Sequence, residues 1–296
     1  MKKNIYSFPA DSQTIEKIIE SFEEDFFKDP PQYAQYRIDY DDCTIIIYSS
    51  GKVVFQGKNA KIYAASFFPE EMAEVLENNE TTSTPVLPQA GSDEVGTGDL
   101  FGPVCVANAY VDEKIYQKIK HLNIIDSKQL TDKAIREIAP EIMKKVPYSL
   151  MILDNAKYNE VYPKNNMNKI KARMHNQGYL NLQKKVRLPE RIVIDDFCGE
   201  SLYYHYLKDE KEVVRNITFE TKAENKYISV ACGAIIARYA FLTKMDEMGK
   251  KYDCVFPKGA GANVDEFLDD FIKKHSQEEL RNVAKLNFKN LEKLQG

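Results

Sequence analysis

The stretch Asn78-Asn79-Glu80-Thr81-Thr82-Ser83-Thr84-Pro85, running on to Pro88, is what most limits the fold of this chain. It is polar, short-chained and bounded by proline, the composition of an exposed connection. It is the clearest break in the chain. The reading is a small unit over 1–80, a linker over 81–88 and a larger unit over 89–296. With 43% apolar and 29% charged residues, there is material for a core on both sides.

The two sides differ in pattern. In the first, Ile15, Ile18, Ile19, Phe22 and Phe26 have helical spacing within Ser12 to Phe27. Thr44 to Tyr48 and Val53 to Phe55 flank Ser49-Ser50-Gly51-Lys52, which reads as a hairpin with a glycine turn. A second helix is expected over Glu70 to Glu77. This is a small α+β unit, either a binding platform or a structural appendage. In the second, strands are expected at Gln89 to Asp93, Pro103 to Val111, Tyr148 to Leu153, Arg191 to Asp195 and Val213 to Phe219. Helices are expected over Asp132 to Lys145, Lys169 to Val186 and Asn225 to Met248. Such alternation predicts an α/β domain with helices against a central sheet. Leu130, Thr131 and Ile135 fit a hydrophobic staple around a threonine N-cap.

Several function classes drop out. No apolar run approaches the roughly 20 residues of a membrane span. Met1 to Tyr6 has two lysines without the apolar stretch of a secretory signal, so a cytoplasmic protein without a membrane partner is expected. Cys43, Cys105, Cys198, Cys232 and Cys254 show no paired spacing, which argues against a disulfide framework or a thiolate zinc site. A net charge of −4 counts mildly against a nucleic-acid partner. An acidic, cation-holding site with basic patches elsewhere is compatible with it. His121, His175, His205 and His275 lack metal-ligand spacing and read as surface or packing residues.

Carboxylates remain. Asp93 and Glu94 end a strand and run into Val95-Gly96-Thr97-Gly98-Asp99. Successive strand side chains point to opposite faces, so the two share one site only if the strand ends or twists there. The alternative is a polar turn with solvated acids. Arg191-Ile192-Val193-Ile194-Asp195 is an apolar strand presenting an acid at its end, while Asp196 reads as the cap of a following helix. Thr221-Lys222-Ala223-Glu224 has the spacing of a capping box, with Glu224 either bonded back to Thr221 or reaching a nearby site. Acids gathered from separate elements repel one another unless cations lie between them, and hard oxygen ligands suit Mg²⁺ or Mn²⁺.

Asp93 to Asp99 with Phe101-Gly102-Pro103 resembles the opening motif of the bacterial ribonuclease HIII family. Asp126-Ser127-Lys128-Gln129-Leu130-Thr131-Asp132, Asn168 to Asn176, Val193-Ile194-Asp195, Thr221 to Glu224, Val230 to Tyr239 and Pro257 to Gly261 follow in the family's order. The resemblance implies a ribonuclease H-like α/β domain, with a mixed central sheet and flanking helices. It implies a metal site made by Asp93, Glu94, Asp195 and Glu224, holding Mg²⁺ or Mn²⁺. It further implies a monomeric endoribonuclease that cuts the RNA strand of RNA–DNA hybrids by a two-metal mechanism, leaving 5′-phosphate and 3′-hydroxyl ends. Gly96, Thr97 and Gly98 are then readers of the 2′-hydroxyl, and Lys128 contacts the substrate. The stretch from Lys164 to Arg173 offers basic side chains that track a backbone or form a solvated helix face. A glutamate at position 224 and Gly96-Thr97-Gly98 resemble the HIII branch, whereas the HII branch carries aspartate and Gly-Arg-Gly. Gly233-Ala234 departs from the family's usual Ala-Ser. The N-terminal unit resembles the family's appended, substrate-binding domain, similar in fold to TATA-box-binding protein. The rival readings are HII-like incision at single embedded ribonucleotides and a hybrid-binding protein without catalysis.

Overall fold

The computed structural model describes residues 4–72, 85–122, 124 and 130–294. The chain divides into two compact units, Met1–Thr84 and Pro85–Gly296.

In the first unit, β1 (Asn4–Pro9), β2 (Phe27–Lys28), β3 (Ala34–Tyr40), β4 (Cys43–Tyr48) and β5 (Lys52–Gly57) form an antiparallel sheet in the order β1-β5-β4-β3-β2. Ile38, Cys43, Ile45, Ile47, Val53, Phe55 and Phe8 point to one side, where they pack with Ile18 of α1 (Ser12–Glu20) and Ala60 and Ala64 of α2 (Ala60–Phe67). Asp11 starts α1, its carboxylate accepting from Thr14 N at 2.8 Å. The helix is shorter than the apolar spacing suggests. After Glu20 the chain turns through a 3₁₀ segment, and Phe27 enters the sheet. From residue 73 on, the helix expected over Glu70 to Glu77 lies outside the described residues, as does the connection as far as residue 84.

In the second unit, β6 (Gln89–Val95), β7 (Val104–Val111), β8 (Tyr148–Leu153), β9 (Arg191–Asp195) and β10 (Ile217–Glu220) form a mixed sheet in the order β10-β9-β6-β7-β8. β10, β9 and β6 run parallel, and β6, β7 and β8 antiparallel. This is the mixed, helix-flanked sheet expected. β10 is shorter than the apolar run from Val213 suggests, because Asn216 sits in the left-handed region at φ 59° and breaks the extended backbone. The remaining helices are α3 (Glu113–Ile119), α4 (Asp132–Lys145), α5 (Asn155–Val161), α6 (Met167–Leu182), α7 (Glu200–Tyr206), α8 (Ile228–Tyr252), α9 (Ala262–His275) and α10 (Leu280–Val283). Thr131 caps α4 by accepting from Ala134 N at 3.2 Å, and Leu130 and Ile135 join the adjoining core, as the staple predicts.

Helices cover both faces of the sheet. α8 packs on β6 and β7 from one side, with α4 behind it; α6 packs on β7 and β8 from the other. Gly91 and Gly233 allow the close approach of α8. A Cβ at Gly91 would stand 2.4 Å from Val230 N, and one at Gly233 2.7 Å from Ala107 O. α8 is also where the expectation about apolar runs fails. By length and composition alone it could cross a membrane, but 72% of its most apolar window is buried within the fold. Its apolar residues serve a core that α4, α9 and the sheet enclose.

Candidate active site

The pairing of β6 with β9 runs from Gln89↔Arg191 to Ser92↔Ile194 and stops there. Asp93 and Asp195 are the next residues on the two strands, so they emerge side by side. Period-two alternation gives Asp93 the face of Gly91 and gives Asp195 the face of Val193, which packs with Val230 of α8. Beyond β10, Lys222 takes the left-handed conformation at φ 55° and a 3₁₀ turn, Ala223–Asn225, brings Glu224 to the same face. Ala223 N donates to Asp195 Oδ1 at 2.9 Å and ties the turn to β9. One carboxylate oxygen each from Asp93, Asp195 and Glu224 lies within 4.8 Å of the others.

The charge balance of this trio is unfavourable. Burial pushes the Asp93 carboxyl well above the usual carboxylate range, and the negative charges of Glu94, Asp195 and Glu224 push it further. The amide of Glu94, donating to Asp93 Oδ1 at 2.7 Å, opposes this only in part. Three converging hard oxygen donors, with the charge on Asp93 disfavoured by its neighbours, fit Mg²⁺ or Mn²⁺.

Glu94 stands apart from the trio, on the opposite face of β6. Lys171 Nζ of α6 donates to its Oε1 at 2.9 Å, and His175 Nε2, one helical turn on, bonds Oε2 at 2.9 Å. The His175 ring is completely buried, and its Nδ1 lies 2.8 Å from Ser92 Oγ. Phe197 closes the group. The Lys171 ammonium sits 4.0 Å from its ring centroid, and His175 stacks on it at 5.3 Å. Burial raises the Glu94 carboxyl, but the bond and charge of His175 and the charge of Lys171 outweigh it and hold the group below its ordinary range.

The turn after β6 is braced from several directions. Gly96 has φ 95°, and a Cβ there would stand 2.1 Å from Pro103 O, so only glycine fits. Gly98 is exposed with open space around it, and Thr97 is half-buried. Asp99 Oδ1 accepts from Gly259 N at 2.6 Å, and Leu100 N donates to Gly259 O at 2.9 Å. Lys285, fully buried, donates to the carbonyls of Asp99 at 2.8 Å and Gly102 at 2.6 Å, and burial lowers its ammonium to about 8.

Asp93, Asp195 and Glu224 thus come together, and Glu94 is held behind them. The capping box read at Thr221 does not form. Lys222 precedes the turn without a side-chain cap, and α8 begins only at Ile228. Asp196 does serve the backbone ahead of α7, accepting from Cys198 N at 3.1 Å and Gly199 N at 2.6 Å. Lys128 lies outside the described residues. Within the basic stretch, Arg173 pairs with Glu210, and Lys171 is 7% exposed, which rules out a solvated position for it. Lys171, His175, Ser92 and Phe197 were not legible as a group. The available signal was the four-residue spacing of Lys171 and His175, which stacks them on one helix face.

Comparison with known proteins gives a consistent result. The family model described as ribonuclease HII matches residues 90–291, and a domain of unknown function, DUF3378, matches residues 8–83. Ribonuclease HIII of Bacillus subtilis (strain 168) is 41% identical over 280 residues, covering 90% of this chain and 88% of that protein. Ribonuclease HIII of Bacillus mycoides (strain KBAB4) is 39% identical over 295 residues, covering 95% of each. Among solved structures, Bst-RNase HIII in complex with Mn²⁺ aligns with a TM-score of 0.69 at 38% identity, covering 98% of this chain and 97% of that one.

Proposed function

The chain belongs to the ribonuclease HIII family, and on that premise we propose how its residues carry out the family's reaction, hydrolysis of the RNA strand of an RNA–DNA hybrid. It is an endoribonuclease that uses Mg²⁺ or Mn²⁺. The observation that carries the assignment of residues is the convergence of Asp93, Asp195 and Glu224 within 4.8 Å on one face of the sheet. These three hold the cations. Glu94, the fourth acid, stands directly behind. When bound, a pair of divalent ions supplies the means to activate water for in-line attack and to stabilise the departing 3′ oxygen.

The protein's own part is placement. Asp195 fixes the turn that carries Glu224, and the strand pairing fixes the distance between Asp93 and Asp195. Gly96, Thr97 and Gly98 lie three to five residues beyond Asp93 and present main-chain donors and acceptors. A 2′-hydroxyl is both donor and acceptor, so such a turn distinguishes ribose from deoxyribose. Its bracing by Lys285, Gly259 and Pro103 keeps the reading groups in register with the acids. Lys128 supplies a further substrate contact.

The N-terminal unit, over 1–80, binds the hybrid and leaves catalysis to 89–296, with 81–88 as linker. In support, the described helices α1 and α2 pack on one side of the sheet. The side carrying Ser7, Val54, Ile46 and Arg37, and in the next row Gln56, Thr44 and Asp39, faces away from that core. The open face of an antiparallel sheet is also how a TATA-box-binding-protein-like unit meets a duplex.

The test is cleavage of a uniform RNA–DNA hybrid with Mn²⁺ or Mg²⁺ by the wild type beside Asp195→Asn. The wild type should cut and the variant should not. A wild type that leaves the hybrid intact would overturn the enzymatic reading. A duplex with a single ribonucleotide should stay largely uncut, since efficient incision there belongs to the HII branch.

A further inference from the structure

Both oxygens of Glu94 are engaged on the α6 side of the sheet, one by Lys171 and one by His175, each at 2.9 Å. The side chains of Lys171 and Glu94 are 9% and 12% exposed, so the ion pair is poorly screened by water. Phe197 lies against both partners of Glu94 and follows Asp195 by two residues, so the same backbone segment serves the trio and the pair. Asp93 and Glu94 are adjacent, yet one carboxylate converges with two further acids while the other already has an ammonium beside it.

We infer that Lys171 is a positioning residue that competes with the divalent metal for Glu94, holding the fourth carboxylate in reserve behind the trio of Asp93, Asp195 and Glu224. The inference rests on the reading of that trio as the metal centre. A metal ion that recruits Glu94 does so against a desolvated ammonium 2.9 Å away. The affinity of the substrate-free protein for metal is therefore lower than four available acids would give. His175, anchored on Ser92, keeps the Glu94 backbone and side chain in register while the Oε1 bond is exchanged.

The experiment is a Mn²⁺ titration of the full chain without hybrid, read by the loss of the electron-paramagnetic-resonance signal of free Mn²⁺. The proteins are the wild type, Lys171→Met, Glu94→Gln, the double variant and Asp195→Asn. Lys171→Met keeps the length of the side chain over Phe197 and removes its charge. It should bind Mn²⁺ roughly tenfold more tightly, the scale expected for freeing Glu94 Oε1 from one charge-assisted hydrogen bond in a poorly hydrated site. In the Glu94→Gln background the same change should shift the affinity by less than about twofold, because the contested carboxylate is gone. Unchanged or weaker binding by Lys171→Met overturns the inference, and so does equal tightening in both backgrounds, which would mark Lys171 as a through-space charge only. A damaged fold weakens metal binding, so tightening separates competition from a structural role. If Lys171→Met does not fold, Lys171→Gln is carried through the same arms. Should Asp195→Asn bind Mn²⁺ like the wild type, the metal-centre reading itself fails and the inference falls with it; if only that variant loses Mn²⁺ and Lys171→Met matches the wild type, the inference alone fails.

Discussion

Asp93 and Glu94 share a peptide bond and face opposite fates. On the α8 side of β6, Asp93 meets two further acids, and its carboxyl is driven towards the neutral form. On the α6 side, Glu94 meets an ammonium and an imidazole and is held ionised. One face is left electrostatically unfinished, and the other is completed by the protein itself. Incomplete charge compensation marks where an external cation belongs, and complete compensation marks structural support. The alternation of a β-strand turns one dipeptide into both.

The sharpest way to break the contrast is to neutralise the unfinished face. Asp93→Asn should reduce hybrid cleavage by on the order of 10⁴-fold, as removal of a core catalytic group does. It should also raise the melting temperature in metal-free buffer. A carboxyl whose folded pKa lies above its unfolded value of 3.8 costs stability at any pH above the folded value, and the cost disappears below 3.8. Asparagine removes the cost. The gain should be seen near pH 8 and vanish near pH 3. A lower melting temperature at pH 8 would show that Asp93 is already compensated.

Glu224 tests the same face from the other element. Glu224→Gln should lower cleavage by about 10³-fold, with a melting temperature close to that of the wild type. A residue serving only to cap a helix would lose about 1 kcal/mol of stability and keep its activity. Measuring both quantities on one preparation distinguishes the two roles.

The anionic face was readable in part: Asp195 ends the apolar strand Ile192-Val193-Ile194, whereas Asp93 could have been a turn residue and Glu224 a helix cap until the family resemblance grouped them with it. The supporting face was not. Lys171 belongs to a run of basic and amide residues that looks solvated, and its partner Glu94 lies 77 positions earlier. Nothing local to Lys171 signals that the helix buries it. His175 looked like an ordinary packing residue for the same reason, since Ser92 and Glu94 approach it only when α6 lies across β6. The α6 boundaries were nearly right, at Met167–Leu182 against an expected 169–186, but the direction of its polar residues depends on tertiary packing. The short helices α3, α5 and α7 escaped because seven residues carry too little periodicity to register.

The completed face can be broken at His175. His175→Ala leaves Ser92 Oγ and Glu94 Oε2 without the ring nitrogens that now lie 2.8 and 2.9 Å from them, and it opens a cavity beside Phe197. The expected loss is roughly 3 kcal/mol, measurable by urea unfolding near pH 7. The effect depends on pH in a stated direction. Glu94 has a folded pKa below its unfolded 4.5, so its contribution is present above pH 4.5 and is lost as pH falls through the folded value. With the bond from His175 gone, the variant should show a shallower decline in stability below pH 4.5 than the wild type. An unchanged acid profile would mean that Lys171 alone maintains the charge of Glu94.

The smallest effect concerns the distance between the two faces. Gly233 lets α8 lie directly on β6 and β7; a Cβ there would be 2.7 Å from Ala107 O and 3.4 Å from Asp93 N. Ala107 O is a backbone atom in the middle of β7, paired with Leu150 on one side and Asp93 on the other, so it cannot swing away. Gly233→Ala therefore forces the helix off the sheet by a few tenths of an ångström, an overpacking cost of about 1–3 kcal/mol. Alanine in a helix interior returns roughly 1 kcal/mol relative to glycine. The net expectation is a loss of about 1 kcal/mol in urea unfolding, with cleavage reduced by no more than about threefold, a change worth well under 1 kcal/mol in the barrier. A larger fall in cleavage at the same stability would show that the height of α8 above Asp93 sets the geometry of the acids, beyond its contribution to the core.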